Sequence, residues 1–253
     1  MARNSSFERG RRDFFELALG GAALGVIAAS PFAAFAQTVA GASLKIATIG
    51  AGREGGALGT LFAKQGHAVM FSSRHPENLK ELVAAAGPTA QAGTVEQAVA
   101  FGDVVLLVVP YAAVEAIGRD YGKALAAKPL VIDVSNPIAR RDGEDLVKSV
   151  EQQGGAGLAT AKLLPGAHLV RAFNAIGSGQ LATEAHRSGE PLGIPIASDD
   201  RDATALASQL IREIGFEPVL VGGLAMGKYL VPGTPLGGLH TPAEIQKIAA
   251  SLK

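Results

Sequence analysis

From residue 43 onward the chain alternates short apolar runs with stretches of helical periodicity. The runs at 44–49, 68–72, 104–109 and 130–134 read as strands, and those at 168–173, 192–197 and 217–221 follow in the same style. Val104-Val105-Leu106-Leu107-Val108-Val109 has no polar position, as expected of a central strand covered on both faces. Between the runs, 54–65, 76–86, 95–100, 112–121, 143–152 and 200–214 carry the spacing of amphipathic helices. Asp199 or Asp200 is placed to cap the last of these, and Pro76 suits the first turn of the second. The Gly-rich stretch between Gly154 and Lys162 gives only a weak helical signal. This alternation predicts one α/β domain over 43–253, with a mostly parallel sheet that the strands after Val134 extend.

The first strand runs straight into Gly50-Ala51-Gly52-Arg53-Glu54-Gly55, which opens the first helical stretch. A G-x-G-x-x-G pattern arises by chance in a chain with 32 glycines; its place between strand and helix gives it a mechanism. Gly50 permits a tight turn, Gly52 lets backbone approach a pyrophosphate, and Gly55 allows the helix to pack closely on the strand. The helix N-terminus then offers unpaired N–H groups and a positive dipole end to phosphates. The whole turn, Gly50 to Gly55, is therefore the candidate cofactor-binding segment of a doubly wound, Rossmann-type fold. At the end of the second strand an NAD-binding chain usually places an acid against the ribose hydroxyls. Here Ser72-Ser73-Arg74 stands there, with no acid before Glu77. A carboxylate repels a 2′-phosphate, whereas an Arg fork and a Ser hydroxyl bind one, so the expected nucleotide is NADP(H).

Composition narrows the classes. The formal charge of +0 supplies no field that recruits nucleic acid. With no cysteine, disulfides, thiolate chemistry and cysteine-ligated metals are excluded. The five histidines, His67, His75, His168, His186 and His240, show no metal-ligand spacing, so no metal is expected. Ser178 lies between Gly177 and Gly179 but lacks the G-x-S-x-G elbow of a hydrolase. The N-terminal segment has a character of its own. Arg3, Arg9, Arg11 and Arg12 precede a mild apolar run from Leu17 to about Ala29, then Pro31 and Ala34-Phe35-Ala36. That is the layout of an export signal over 1–36, and Arg11-Arg12-Asp13-Phe14-Phe15 resembles the twin-arginine type. The apolar run is shorter than the roughly 20 residues of a membrane span, so contact with the membrane is expected only during export, to the periplasm or beyond.

With several later segments, these residues make the chain resemble the F420-dependent NADP oxidoreductase family, from about Lys45 to Pro232. The resemblance is carried by the Gly50 to Gly55 turn with Gly66-His67, by Ser72-Ser73-Arg74, and by Gly102-Asp103 leading into Val109-Pro110-Tyr111. Asp133 with Asn136-Pro137, Leu164-Pro165-Gly166-Ala167 and Arg171-Ala172-Phe173-Asn174-Ala175-Ile176-Gly177 continue it. Gly215-Phe216-Glu217-Pro218, ahead of Gly222-Gly223-Leu224, completes it. The resemblance implies an NADPH-dependent oxidoreductase passing hydride to a ring-type acceptor, the deazaflavin F420 or a flavin. It implies that Ser73 and Arg74 hold the 2′-phosphate and that Val109 and Pro110 line the nicotinamide side. Asn136 and the segment Asn174, Ala175, Ile176 and Gly177 would shape the acceptor pocket. Such direct transfer relies on proximity more than on acid–base groups, in keeping with a chain that shows no obvious catalytic dyad. The family commonly places further hydroxyl or basic phosphate ligands where this chain has Ala51 and Asn78.

Other dehydrogenases with the same N-terminal pattern follow it with a large helical domain. Here about thirty residues remain after Val221, too few for one. Two other classes stay open at this point: a dinucleotide-binding module without turnover, and a subunit that delivers electrons to a partner protein. A small-molecule redox acceptor is the partner expected first, and a homodimer is the assembly to test.

Overall fold

Eight strands form one sheet among the described residues of the computed structural model, which are 43–252; the segment read as an export signal, 1–36, lies outside them. The strands are β1 (Lys45–Ile49), β2 (Ala68–Ser72), β3 (Ala90–Gly93), β4 (Val104–Leu107), β5 (Leu130–Asp133), β6 (Leu169–Arg171), β7 (Gly193–Ala197) and β8 (Glu217–Gly222). Their order is β3-β2-β1-β4-β5-β6-β7-β8. Neighbours run parallel throughout except where β6 meets β7 antiparallel, so β7 and β8 form a reversed pair on the end of the sheet.

The helices are α1 (Arg53–Lys64), α2 (Lys80–Ala86), α3 (Val95–Phe101), α4 (Val114–Ala126), α5 (Ala139–Asp142), α6 (Glu144–Gln152), α7 (Ala156–Leu163), α8 (Ser178–Glu184), α9 (Arg201–Glu213) and α10 (Pro242–Ser251). Side chains alternate across a strand, and both faces here are apolar. Ile46, Val104, Leu106, Leu130, Ile132 and Val170 share one buried cluster with Leu58 and Phe62 of α1, Leu181 of α8 and Leu206 and Leu210 of α9. Ala47, Ile49, Val105, Leu107, Val131 and Leu169 share the other with Val99 of α3, Leu125 of α4 and Ala159 of α7. Two helical layers on one sheet make the fold doubly wound, as the apolar runs predicted.

Several elements differ from the sequence reading, each for a local reason. β4 ends at Leu107, two residues before its apolar run does, and β6 covers only the middle of 168–173. The stretch from Pro76 divides into a 3-10 turn, Pro76–Leu79, and the short α2. β3 was unforeseen: Ala90-Gln91-Ala92-Gly93 contains no β-branched residue, and its pairing with β2 makes it a strand. The Gly154 to Lys162 region holds a real helix, α7, although its glycines and alanines give little periodicity. Asp200 is the residue that caps α9, its side chain accepting from the Ala203 amide at 2.9 Å. His67 serves packing: it is buried, its Nδ1 accepts from Leu44 N and its Nε2 lies 3.0 Å from Glu213.

The last thirty residues are ordered by a small third core. Val219 and Val221 of β8 pack with Leu230, Leu236 and the α10 residues Ile245 and Ala249. Thr241 caps α10 in a reciprocal arrangement with Glu244, whose carboxyl is held below its usual range by the hydrogen bonds from the Thr241 backbone and side chain. On its way to α10 the chain passes the C-terminal ends of the strands, where Gly238 N donates to Ala175 O at 3.2 Å.

Candidate functional site

The turn after β1 separates three tasks among its glycines. Gly50 has φ +100°, a conformation that favours glycine, and a Cβ there would stand 2.3 Å from the Val108 carbonyl oxygen. Gly55 lies against β1 and the turn itself: a Cβ would come within 2.0 Å of Gly50 O and 2.9 Å of Thr48 Cγ2. At Gly52, the N-cap of α1, a Cβ would meet nothing within 4 Å. Two glycines therefore let the backbone close on itself, and the third leaves space open in front of the helix N-terminus. β1 and β4 adjoin where the strand order reverses, so this space lies in the crevice where an open α/β sheet binds ligands.

A cavity of about 550 Å³ occupies that crevice, a size typical of small-molecule sites. It brings together Gly52, Arg53, Glu54 and Gly55 from the turn, Val109 and Pro110 after β4, Asn136 after β5, and Asn174, Ala175, Ile176 and Gly177 after β6. The remaining expected residues stand elsewhere. Gly50 lies behind the turn, and Ala51 faces a second groove along α1. Ser73 and Arg74 follow β2 outside the cavity wall; Arg74 is exposed, and Ser73 Oγ accepts from His75 N at 3.1 Å. Asn78, noted as a departure from the family pattern, lines the second groove with Ala51.

Behind the wall is a buried ion pair. Arg171 on β6 and Asp133 on β5 are both fully buried and joined Nη1 to Oδ2 at 2.5 Å. Asp133 Oδ1 accepts from Ser135 N and Oγ, while Arg171 Nη2 donates to Ser135 O and, at 3.3 Å, to Asn136 Oδ1. Asn136 Nδ2 donates in turn to Asn174 O at 2.7 Å, and Asn174 Nδ2 donates to the carbonyls of Asp133 and Ser135. The two asparagines are thus braced by the charge pair beneath them. Asn136 is committed through both ends of its amide, whereas Asn174 Oδ1 is buried without a hydrogen-bond partner among the described residues. Phe173 reinforces the arrangement: it takes φ +62°, a strained conformation for a non-glycine residue, and packs edge-on against Phe216.

Charge on the wall comes from three side chains, Arg53, Glu54 and Arg141. Arg141 Nη2 donates to Asn136 O at 2.6 Å and to Asp142, whose carboxylate also accepts from the amides of Ile138 and Ala112. Burial works against ionised Asp142, but these bonds, led by that of Arg141, hold its carboxyl below the usual range. Glu54 behaves in the opposite way. Burial pushes its carboxyl above the ordinary value, against the opposing pull of the Ser178 hydrogen bond and the Arg53 guanidinium. Sequence reasoning missed Ser135, Ile138, Arg141 and Pro232. The pair Arg140-Arg141 just beyond Asn136-Pro137 was a usable signal for a cation at the site. Pro232 enters from the C-terminal segment, and only the third core brings it there.

Comparison with known proteins places this geometry. Residues 45–137 match a family model described as NADP oxidoreductase, coenzyme F420-dependent. A comparison with curated proteins returns no match. Among solved structures, a hypothetical protein from Sinorhizobium meliloti is 26% identical with a TM-score of 0.66, covering 81% of this chain and 98% of that one. A putative F420-dependent NADP reductase from Arthrobacter sp. FB24 is 19% identical with a TM-score of 0.63, covering 74% and 88%. A 3-hydroxyisobutyrate dehydrogenase from Mycobacterium tuberculosis, 21% identical with a TM-score of 0.51, shares the fold over 74% of this chain but only 57% of its own. The family match over residues 45–137, which hold the phosphate turn, on a doubly wound sheet with the crevice described, makes this a NAD(P)-binding domain of the oxidoreductase type.

Proposed function

We propose that this chain is an NADP(H)-dependent oxidoreductase exchanging hydride with a ring-type acceptor, the deazaflavin F420 or a flavin. The observation that carries the reading is the continuity of one cavity from the Gly52 to Gly55 turn, past Val109 and Pro110, to Asn136 and Asn174–Gly177. The residues fit a dinucleotide: the open space at Gly52 admits a pyrophosphate against the amides of α1, and Asn174 Oδ1 waits for a donor. When bound, the dihydronicotinamide supplies the hydride. The protein's part is to hold two flat groups in register. Val109, Pro110, Ile138 and Ile176 give apolar surfaces, and the braced asparagines fix the far wall. The residues assigned to the 2′-phosphate, Ser73 and Arg74, stand at the end of β2, where the ribose of a nucleotide on this turn falls.

Two measurements test the reading. NADPH oxidation by the full chain is followed with F420, with FMN and without acceptor, and NADH serves as control. Reduction of F420 or FMN with NADPH preferred supports the proposal; no turnover with either removes the acceptor assignment. Arg74→Ala separately tests the nucleotide. Loss of a charge-assisted contact worth about 1.5–3 kcal/mol weakens NADPH roughly 10–150-fold and leaves NADH unaffected. Equal losses for both nucleotides would show that Arg74 does not read the 2′-phosphate. Export through the twin-arginine route belongs to the same proposal, on the strength of Arg11-Arg12 and the apolar run after them. Cell fractionation of the wild type beside Arg11→Lys/Arg12→Lys checks it, with retention of the double variant in the cytoplasm as the expected result.

A further inference from the structure

Glu54 is an acid in a place built for anions. It is the second residue of α1, in the turn whose open space faces the cavity. Its Oε1 accepts from the Ser178 amide at 2.7 Å, which ties α1 to the start of α8. Its Oε2 is buried and has no hydrogen-bond partner among the described residues. A carboxylate oxygen out of water with nothing to accept from is costly in the ionised form and far less so when it carries a proton. A pyrophosphate entering the turn adds negative charge beside it and widens that difference.

Resting on the reading of this crevice as a dinucleotide site, we propose that Glu54 binds NADP(H) as the neutral acid, so that nucleotide binding takes up a proton onto Oε2. The surroundings give no second candidate on the wall. Arg53, on the same helix, and Arg141, across the cavity from α5, are guanidinium groups and offer no carboxyl. α8 contributes Ser178, Gly179 and Gln180 at this end and its acid, Glu184, only at its last residue. Lys64 of α1 and Glu81 of α2 face the separate groove along α1, and Asp133 and Arg171 neutralise each other behind the wall. Burial already raises the Glu54 carboxyl above its ordinary value, and Arg53 and the Ser178 bond restrain the rise. The sign follows: affinity is highest at low pH and falls as pH rises through the pKa of Glu54 in the complex, by up to tenfold per pH unit.

Calorimetry with the full chain tests this, titrating NADPH and NADH at several pH values between about 5 and 9 in buffers of different ionisation heat. Wild type takes up as much as one proton more per bound nucleotide than Glu54→Gln, which keeps the Ser178 contact but does not titrate. The difference between the two proteins cancels the titration of the 2′-phosphate itself, whose second pKa lies near 6. NADH lacks that group, so its pH dependence on wild type alone gives a readout that needs no variant. Equal proton uptake by wild type and Glu54→Gln, or NADH affinity that is flat with pH, overturns the proposal while leaving the dinucleotide site standing. Failure of wild type to bind either nucleotide overturns both.

Discussion

Replacing Asp133 by Ala is expected to be the most destabilising single change behind the wall of this site. Arg171 is fully buried, and its charge is answered by Asp133 alone; its other bonds go to the neutral Ser135 carbonyl and Asn136 side chain. Removing one member of a buried pair leaves an uncompensated charge, at a cost of about 3–5 kcal/mol. For a chain of this length that is roughly 6–20 °C in Tm. The guanidinium has no easy way out. Its stem runs between the backbones of α7 and the turn Leu224–Tyr229, where a Cβ at Gly157 would come within 3.2 Å of Arg171 Cδ and one at Gly227 within 2.7 Å. The double variant Asp133→Ala/Arg171→Met therefore recovers most of the lost stability, since an apolar chain of similar length occupies the same channel and no charge is stranded. Thermal and urea melts of the three proteins check this. A single variant that melts with wild type, or a double variant no better than the single, would show that the pair does not carry the wall.

Gly52→Ala and Gly55→Ala are expected to fail in different ways although they are neighbours in one turn. The new methyl at residue 52 points into open space, so folding loses no more than about 1 kcal/mol, the difference between Gly and Ala at an N-cap. That space is where the backbone must be approached by a phosphate, and NADPH affinity falls at least tenfold, about 1.4 kcal/mol. At residue 55 the methyl collides with Gly50 O and Thr48 Cγ2, so stability itself drops, by about 1–3 kcal/mol or more, and nucleotide binding goes with it. Measuring Tm and NADPH affinity on both variants separates the two. Gly52→Ala that binds NADPH like wild type would remove the phosphate from this turn.

The sheet and the phosphate turn were legible in the sequence because both are local. A strand buried on both faces must be apolar at every position, which Val104 to Leu107 shows, and a Gly-rich turn between strand and helix announces itself by order alone. The resemblance to the family named the segments after β4, β5 and β6 that line the cavity. What it could not convey was which of their atoms are free. Asn136 and Asn174 look alike in the chain, yet the Asp133–Arg171 pair uses up the first and leaves an oxygen of the second unanswered.

Sequence pattern by itself determined the doubly wound fold and the phosphate turn at the end of β1, since alternation and glycine placement act over short distances; the segments that line the crevice came from the resemblance to the family. Tertiary structure alone decided the rest. It made β3 a strand, reversed β7 and β8, carried Pro232 to the cavity and Arg141 to its rim, and raised the Glu54 carboxyl by burial. Each of these depends on what residues far apart in the chain exclude from water or hand to one another as hydrogen bonds, and periodicity holds no record of either.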